Sequence, residues 1–431
     1  MDPGPDVRVS HRRTLALLAL ATAVGSLGLA AGGTAGGLLA TELTGNAATA
    51  GLPLGALVAG SAAGALMISN LASRAGRAVG LVLGYAVGAG GAAIVIAATA
   101  ADSFALVLIG NAAMGAANAS VFLTRYAAAD TGGPTARGRA LSTVMFAASA
   151  GAVTGPNLLG PSGELADAMG LPPIAGLYLI AAPSFAVAGL LLATLRLSAA
   201  AQPGRAAAAR VRARDTVGQF VAALSARSAR TALLILGAVN LVMVGIMAIA
   251  PIHLIAHDHE LKLVGLVISI HVAAMFVPSP LSGWAADRAG GGAVASLGAA
   301  VLIAAGVTGA LAHPASCASP ASCAALIVAL ALLGLGWNAG VVGASTMLAA
   351  SVPPALRTRA EGVGETAMGL AAAAGAPLAG FVTAAAGFAA LSVLAATVAT
   401  LVFAAVVLPK PQRTHADEPQ SQAEQTGVSV R

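Results

Sequence analysis

GWAADRAGGG, residues 283–292, sets Asp287 beside Arg288 at the end of a run, 263–286, that carries no Asp, Glu, Lys or Arg. Far upstream, SNLASRAGRA at 69–78 has nearly the same layout. It aligns Ser69 with Gly283, Ser73 with Asp287, Arg74 with Arg288 and Gly76 with Gly290. Each copy lies between two long apolar runs. A chain that repeats its charged punctuation in this way is built from two copies of one plan.

The runs themselves name the solvent. Of 431 residues, 58% are apolar and 9% charged, whereas a soluble domain carries about 25% charged residues. With a mean hydropathy of +0.88 and runs long enough to cross a hydrocarbon layer of about 30 Å, the chain reads as an integral membrane protein. The net charge of +6 does not point to nucleic acid, because the charges sit in short loops between apolar runs rather than on one face. The first run begins at Thr14 with no small soluble domain after it, so it reads as a first span and not as a cleaved signal.

Charges are sparse enough to delimit the spans. Charge-free stretches cover 14–41, 43–73, 78–101, 103–124, 140–163, 168–195, 231–252 and 263–286; 289–356 and 366–409 are each long enough for two spans, divided near His313–Pro320 and Ala384–Gly387. That predicts twelve. Backbone groups in lipid must be satisfied internally, so the spans are helices, and their Ala and Gly content suits close packing. The expected fold is all-α, two pseudo-symmetric six-helix bundles. With the N-terminus inside, every Lys and Arg except Lys262 falls on the cytoplasmic side, as the positive-inside rule requires. Both termini are then cytoplasmic. The predicted organisation is a bundle over 1–197, a basic linker with a surface amphipathic helix over 198–230, a second bundle over 231–408 and a disordered tail over 409–431.

Further matches support the duplication. Arg137-Gly-Arg139-Ala140 before span five pairs with Arg357-Thr-Arg359-Ala360 before span eleven, and Asn111 in span four with Asn338 in span ten. A parallel repeat of six spans is a transporter design with the binding site between the halves. At this point the chain resembles the major facilitator superfamily from about Thr14 to Leu408. Gly283, Asp287, Arg288 and Gly290 match that family's G-x-x-x-D-R-x-G loop signature. The first copy keeps Arg74, Gly76 and Arg77 but has Ser69 and Ser73 in place of Gly and Asp. The resemblance implies that these residues latch the cytoplasmic side when the halves meet, with Asp287 the stronger latch. An aspartate at a helix end can pair with an arginine or with N-terminal amides of a neighbouring helix.

GAVTGPNLLG (151–160) resembles the family's span-five signature of proton-exchanging exporters, and implies a hinge at Gly151, Gly155 and Pro156; the alternative is ordinary glycine-proline packing. The arginine such exporters carry in span four is replaced at the matching place by Asn111, in Asn111-x-x-x-Gly115. An amide cannot act as a permanent charge. Arg125 and Asp130 are assigned to the cytoplasmic end of span four and its loop. Ionisable groups within lipid depth are suspects for coupling. His271 lies nine residues from Lys262, about 13 Å deep at helical rise, and histidine titrates near neutral pH. Glu361 and Glu365 share one face of span eleven, Glu361 with a local Arg359 pairing expected and Glu365 open; Glu42 marks the outer end of span one. Asn111, Asn118, Asn240 and Asn338 either line a substrate cavity or stitch helices together.

No nucleotide loop, catalytic triad or cofactor motif is present in the sequence, so an enzyme or ATP-driven pump is not expected. HLIAHDHE (253–260) reads as a polar loop and not a metal site. Cys317 and Cys323 read as small residues with no inferred role, although a disulfide on an oxidising face is an alternative. The expected function is proton-coupled export of a small organic molecule across a bacterial cytoplasmic membrane by a monomer in contact with membrane lipids. An uptake symporter or uniporter of the same fold is the alternative, and a non-transporting sensor using the basic linker is a third reading.

Overall fold

The computed structural model describes residues 5–46, 49, 51–131, 135–200, 216–255, 261–312 and 320–407. Its helices are α1 (Pro5–Thr44), α2 (Leu52–Ala75), α3 (Arg77–Ala100), α4 (Phe104–Thr131), α5 (Arg137–Asn157), α6 (Leu159–Ala168) and α7 (Gly176–Ala200), followed by α8 (Thr216–Ser225), α9 (Arg227–Ile255), α10 (Leu261–Phe276), α11 (Ser279–Ala289), α12 (Gly291–Leu311), α13 (Pro320–Ser351) and α14 (Pro354–Val407). No strand occurs among the described residues. The fold is an all-α membrane protein.

Ten helical spans among the described residues are long and apolar enough to cross a membrane, one of them combining α10 and α11. The last, α14, has 54 residues and breaks at Gly387, whose φ of 80° is open to glycine; it is long enough for two crossings. α5 is not among the ten, yet its 21 residues pack along α1 and against α11. With these two, the layout accommodates the expected twelve crossings.

Two differences from the expected spans bear on the site. α4 runs past residue 124, through Arg125, to Thr131. Span five is not one helix over 140–163: α5 ends at Asn157, and Leu158, at φ −87° and ψ 0°, turns the chain into α6. Pro156 lies in that last turn and lacks the N–H that would continue the ladder.

The repeated turns have one geometry. Gly76 ends α2 at φ 99°, ψ 153°, and Gly290 ends α11 at φ 84°, ψ 153°. Each glycine N–H bonds back to the carbonyl four residues earlier, on Ala72 and Ala286. Helix pairings repeat as well. α3 against α4 is matched by α12 against α13, and α1 against α5 by α9 against α14. These crossings are too close for side chains: a Cβ at Gly84 would lie 2.1 Å from Ser120 Oγ, and one at Gly298 2.5 Å from the Gly340 nitrogen.

Two hydrophobic cores result. One spans Leu18–Leu192; the other lies mainly within Ala229–Val402 and takes in Ala129, Leu141 and Met145 from the first half. Of the predicted linker, α8 places Phe220 and Leu224 against the second core. Residues 201–215 and the tail from 408 lie outside the described residues.

Candidate functional site

Across the halves, the main helix pairings are α2 with α14 and α5 with α11. Their tightest approaches occur at the end of the molecule where Arg74, Arg77, Arg139, Arg288, Arg357 and Arg359 gather, here called the basic end. The first amides of α5 have no partner within their own helix. Asp287, from the end of α11, supplies one: its Oδ1 accepts from Gly138 N at 2.7 Å, and its Oδ2 from Arg139 N at 3.0 Å and Arg139 Nε at 3.2 Å. Negative charge is favoured at that position by the helix dipole. Gly283, one turn before Asp287, lets the helices meet; a Cβ there would lie 2.3 Å from the Gly138 carbonyl oxygen. Arg288 points elsewhere, its guanidinium 4.7 Å from the centre of the Trp284 ring.

Asp287→Ala removes the carboxylate that accepts from the Gly138 and Arg139 amides, and is expected to weaken the closed basic end by about 1–2 kcal/mol, a shift of roughly 5–30-fold in the open fraction. The check is thiol labelling of a cysteine at position 142 in a background without Cys317 and Cys323. Unchanged labelling would remove Asp287 from the latch.

The N-half copy is wired differently. Ser73, at the place of Asp287, is 3.4 Å from Arg359 Nε. The acid is supplied from elsewhere. Arg77 meets Glu361 Oε2 at 2.6 Å and Asp130 Oδ2 at 2.6 Å, and Arg357 meets Asp130 Oδ1 at 3.3 Å. Glu361 is therefore paired across the halves with Arg77 and not locally with Arg359. Arg74 is exposed.

Deeper in the interface lies a further ion pair, between Arg125 on α4 and Glu365 on α14, both buried. Arg125 also donates from Nε to Ser345 Oγ at 3.2 Å, from Nη1 to the Phe122 carbonyl at 3.1 Å and from Nη2 to Tyr126 Oη at 3.3 Å. The Tyr126 ring lies 4.6 Å from its guanidinium carbon. Arg125 borders a cavity of about 120 Å³ lined by α1, α4 and α5 together with Phe276 of α10. Thr22, Ser26, Phe122, Met145 and Arg125 are among its lining, and of the described lining residues Arg125 alone is charged. Glu365 does not line it. The sequence assigns Arg125 to the cytoplasmic end of span four, where a charge closes an apolar run, but α4 continues past it to Thr131. The residues after it, YAAA, continue the apolar run and are the signal that α4 goes on. It supplies α4 with the buried permanent charge that Asn111 lacks.

Other predicted residues lie within single halves. His271 is buried between α10 and α13, with Nδ1 2.8 Å from the Leu330 carbonyl oxygen. Glu42 is exposed near the end of α1. Asn118 donates to Ser61 Oγ on α2 at 2.9 Å, and Asn111 to the Val107 carbonyl of its own helix at 2.8 Å. Asn240 joins α9 to α14 and α13 through the Met368 carbonyl at 2.7 Å and Trp337 Nε1 at 3.0 Å. Asn338 joins α13 to α10 and α11 through the Met275 carbonyl at 2.7 Å and Ser279 Oγ at 2.6 Å. None of the four asparagines lines the cavity bordered by Arg125. Gly151 carries the α1–α5 crossing, since a Cβ there would lie 2.2 Å from the Ala23 carbonyl oxygen; Gly155 is buried in the last turns of α5. Residues 256–260, Cys317 and the side chain of Cys323 lie outside the described residues.

The family model of the Major Facilitator Superfamily matches residues 18–324 and 232–430. The MFS-type transporter YddS of Bacillus subtilis is 35% identical over 402 residues, 92% of this chain and 91% of that one. The riboflavin transporter RfnT of Brucella anthropi is 30% identical over 363 residues, 83% and 85% of the two chains. Among solved structures, the E. coli fucose:proton symporter FucP superposes with a TM-score of 0.69 at 16% identity, over 91% of this chain and 97% of that one; at that identity the likeness is one of fold.

Proposed function

Because the chain belongs to the major facilitator superfamily, it is a multi-pass membrane transporter, and we propose that it moves a small organic molecule by proton-linked alternating access. The observation that carries this reading is the Arg125–Glu365 pair, buried across the two halves beside a cavity and deep to the ionic latches of the basic end. A charge in the membrane interior costs several kcal/mol unless it is paired, and such groups mark ion and substrate pathways. Breaking the pair by protonating Glu365 removes the charge that holds α4 to α14. The latches through Asp287 and Arg77 are then left to hold the basic end alone.

In this reading the halves, 1–197 and 231–408, rock about the cavity, the basic end faces the cytoplasm of a bacterial cell and both termini lie there. Direction follows from the cargo's charge. A cation would compete with Arg125 for Glu365 and exchange against the proton, giving export, which the Gly155-Pro156 signature supports. An anion would compete with Glu365 for Arg125 and travel with the proton, which the place of Arg125 in the cavity lining supports.

The test needs no known substrate. In vesicles holding the purified protein and an internal pH-sensitive dye, addition of a cargo from a panel of small organic compounds is expected to move protons. Glu365→Gln is expected to abolish that movement. Cargo flux indifferent to the pH gradient and to Glu365 would end the proton-linked reading.

A further inference from the structure

Resting on the reading of this cavity as the transport site, we infer that the cargo is an aromatic organic anion whose carboxylate binds Arg125, and that its binding loads one proton onto Glu365. The cavity chemistry points this way in three respects. Arg125 is the one charged residue among its described lining residues, while the carboxylate that neutralises it, on Glu365, is not part of the lining. Phe122 and Phe276 supply flat apolar faces, suited to stacking a ring. Its volume of about 120 Å³ is near that of an engineered apolar cavity of about 150 Å³ that accepts benzene.

Arg125 has five N–H groups to offer. Nε is spent on Ser345, Nη2 on Tyr126 and Glu365, and Nη1 donates to the Phe122 carbonyl. Nη1 carries a second N–H, for which the described residues provide no bond of its own. An entering carboxylate can take that donor and then displace Glu365 from the guanidinium in a fork-like geometry. Glu365 would then be a buried anion without its cation. The charged groups near it are Arg125 and, one turn back along α14, Glu361, which Arg77 already holds. Tyr126 and Ser345, which also meet Arg125, are neutral. A buried carboxylate stripped of its only cation favours the neutral form, so one O–H bond forms on Glu365 as one O–H bond of a hydronium ion breaks to leave water. Cargo and proton therefore occupy the same state, and they cross together.

The full chain in lipid nanodiscs is titrated calorimetrically with benzoate, benzamide and benzylammonium, in two buffers that differ in ionisation heat. Benzoate is expected to bind at least about tenfold more tightly than benzamide, or roughly 1.4 kcal/mol, with about one proton taken up per molecule and weaker binding as pH rises. Glu365→Gln should keep the preference for benzoate and lose the proton uptake and the pH dependence. In Arg125→Gln/Glu365→Gln, which leaves no charge unpaired, the preference should vanish. Equal or tighter binding of the amide or the ammonium, benzoate binding without proton uptake, or no binding of benzoate at millimolar concentration would each overturn the inference. The two readings fail separately. Proton-linked flux of a cationic cargo would leave the transporter and remove the anion; benzoate binding as described, with no flux of any cargo in vesicles, would do the reverse.

Discussion

Arg125→Met is expected to abolish transport and to lower stability by about 3–5 kcal/mol, because it leaves Glu365 as an uncompensated charge in the membrane interior. The guanidinium does more than neutralise. It ties Phe122, Tyr126, Ser345 and Glu365 together across α4, α13 and α14, so its loss frees several buried polar groups at once. Arg125→Met/Glu365→Leu, which removes both charges and fills the volume, is expected to recover most of the stability, since apolar replacement of a whole buried pair is often neutral or better. It should recover none of the transport. The measurements are the melting temperature of the detergent-purified protein and cargo-driven proton movement in vesicles. Single variants that melt like the parent would show that the pair is not a buried charge pair. A double variant that transports would show that it is not the coupling site.

Gly283→Val is expected to hold the basic end open and to reduce transport at least tenfold. A Cβ at that position would lie 2.0 Å from Ser142 Oγ and 2.3 Å from the Gly138 carbonyl oxygen. The hydroxyl can turn away, but the carbonyl belongs to the helix turn whose amides Asp287 binds. Forcing side-chain volume into such a crossing costs about 1–3 kcal/mol, and the cost falls only on the arrangement in which α5 and α11 touch. Gly362→Val should act likewise on α14 and α2, where a Cβ would meet Ser69 Oγ at 2.2 Å and Ser69 Cβ at 2.4 Å. Gly90→Ala, at a position with open space, is the control for tolerance of added volume. Thiol labelling at the basic end and vesicle transport read the outcome together. Full transport with a parental labelling pattern in Gly283→Val would mean that this crossing does not close during the cycle.

Both predictions concern residues that the sequence exposes to different degrees. Gly283 was found because its charged neighbours repeat, and the repeat survives in three dimensions as the shared geometry of Gly76 and Gly290. Asp287 was expected to meet either an arginine or helix amides, and it meets both. Arg125 lies in the last two turns of α4, but its burial and its partner do not show in the sequence. A charge in an apolar run normally ends a span, and what lets this one sit inside is an acid 240 residues further on, about which local spacing says nothing. The expected pairing of Glu361 with Arg359 failed for a related reason: neighbours on one helix compete with partners across an interface, and the half-buried Arg77 meets the buried Glu361 at 2.6 Å.

The amino-acid sequence alone determined that lipid is the solvent, that the elements are helices, where most of them begin and end and that they form two related sets. Those properties follow from rules that act within a few residues: uncharged runs must be long enough to cross, and the chain must turn where charge and glycine permit. Only the tertiary structure decided which polar residues face the cavity and which bind one helix to the next. It placed Asn118, Asn240 and Asn338 in helix-to-helix bonds and Arg125 beside the cavity. Polarity selects for a partner but does not specify which one, and in a bundle the partner is chosen by the crossing of helices far apart in the chain.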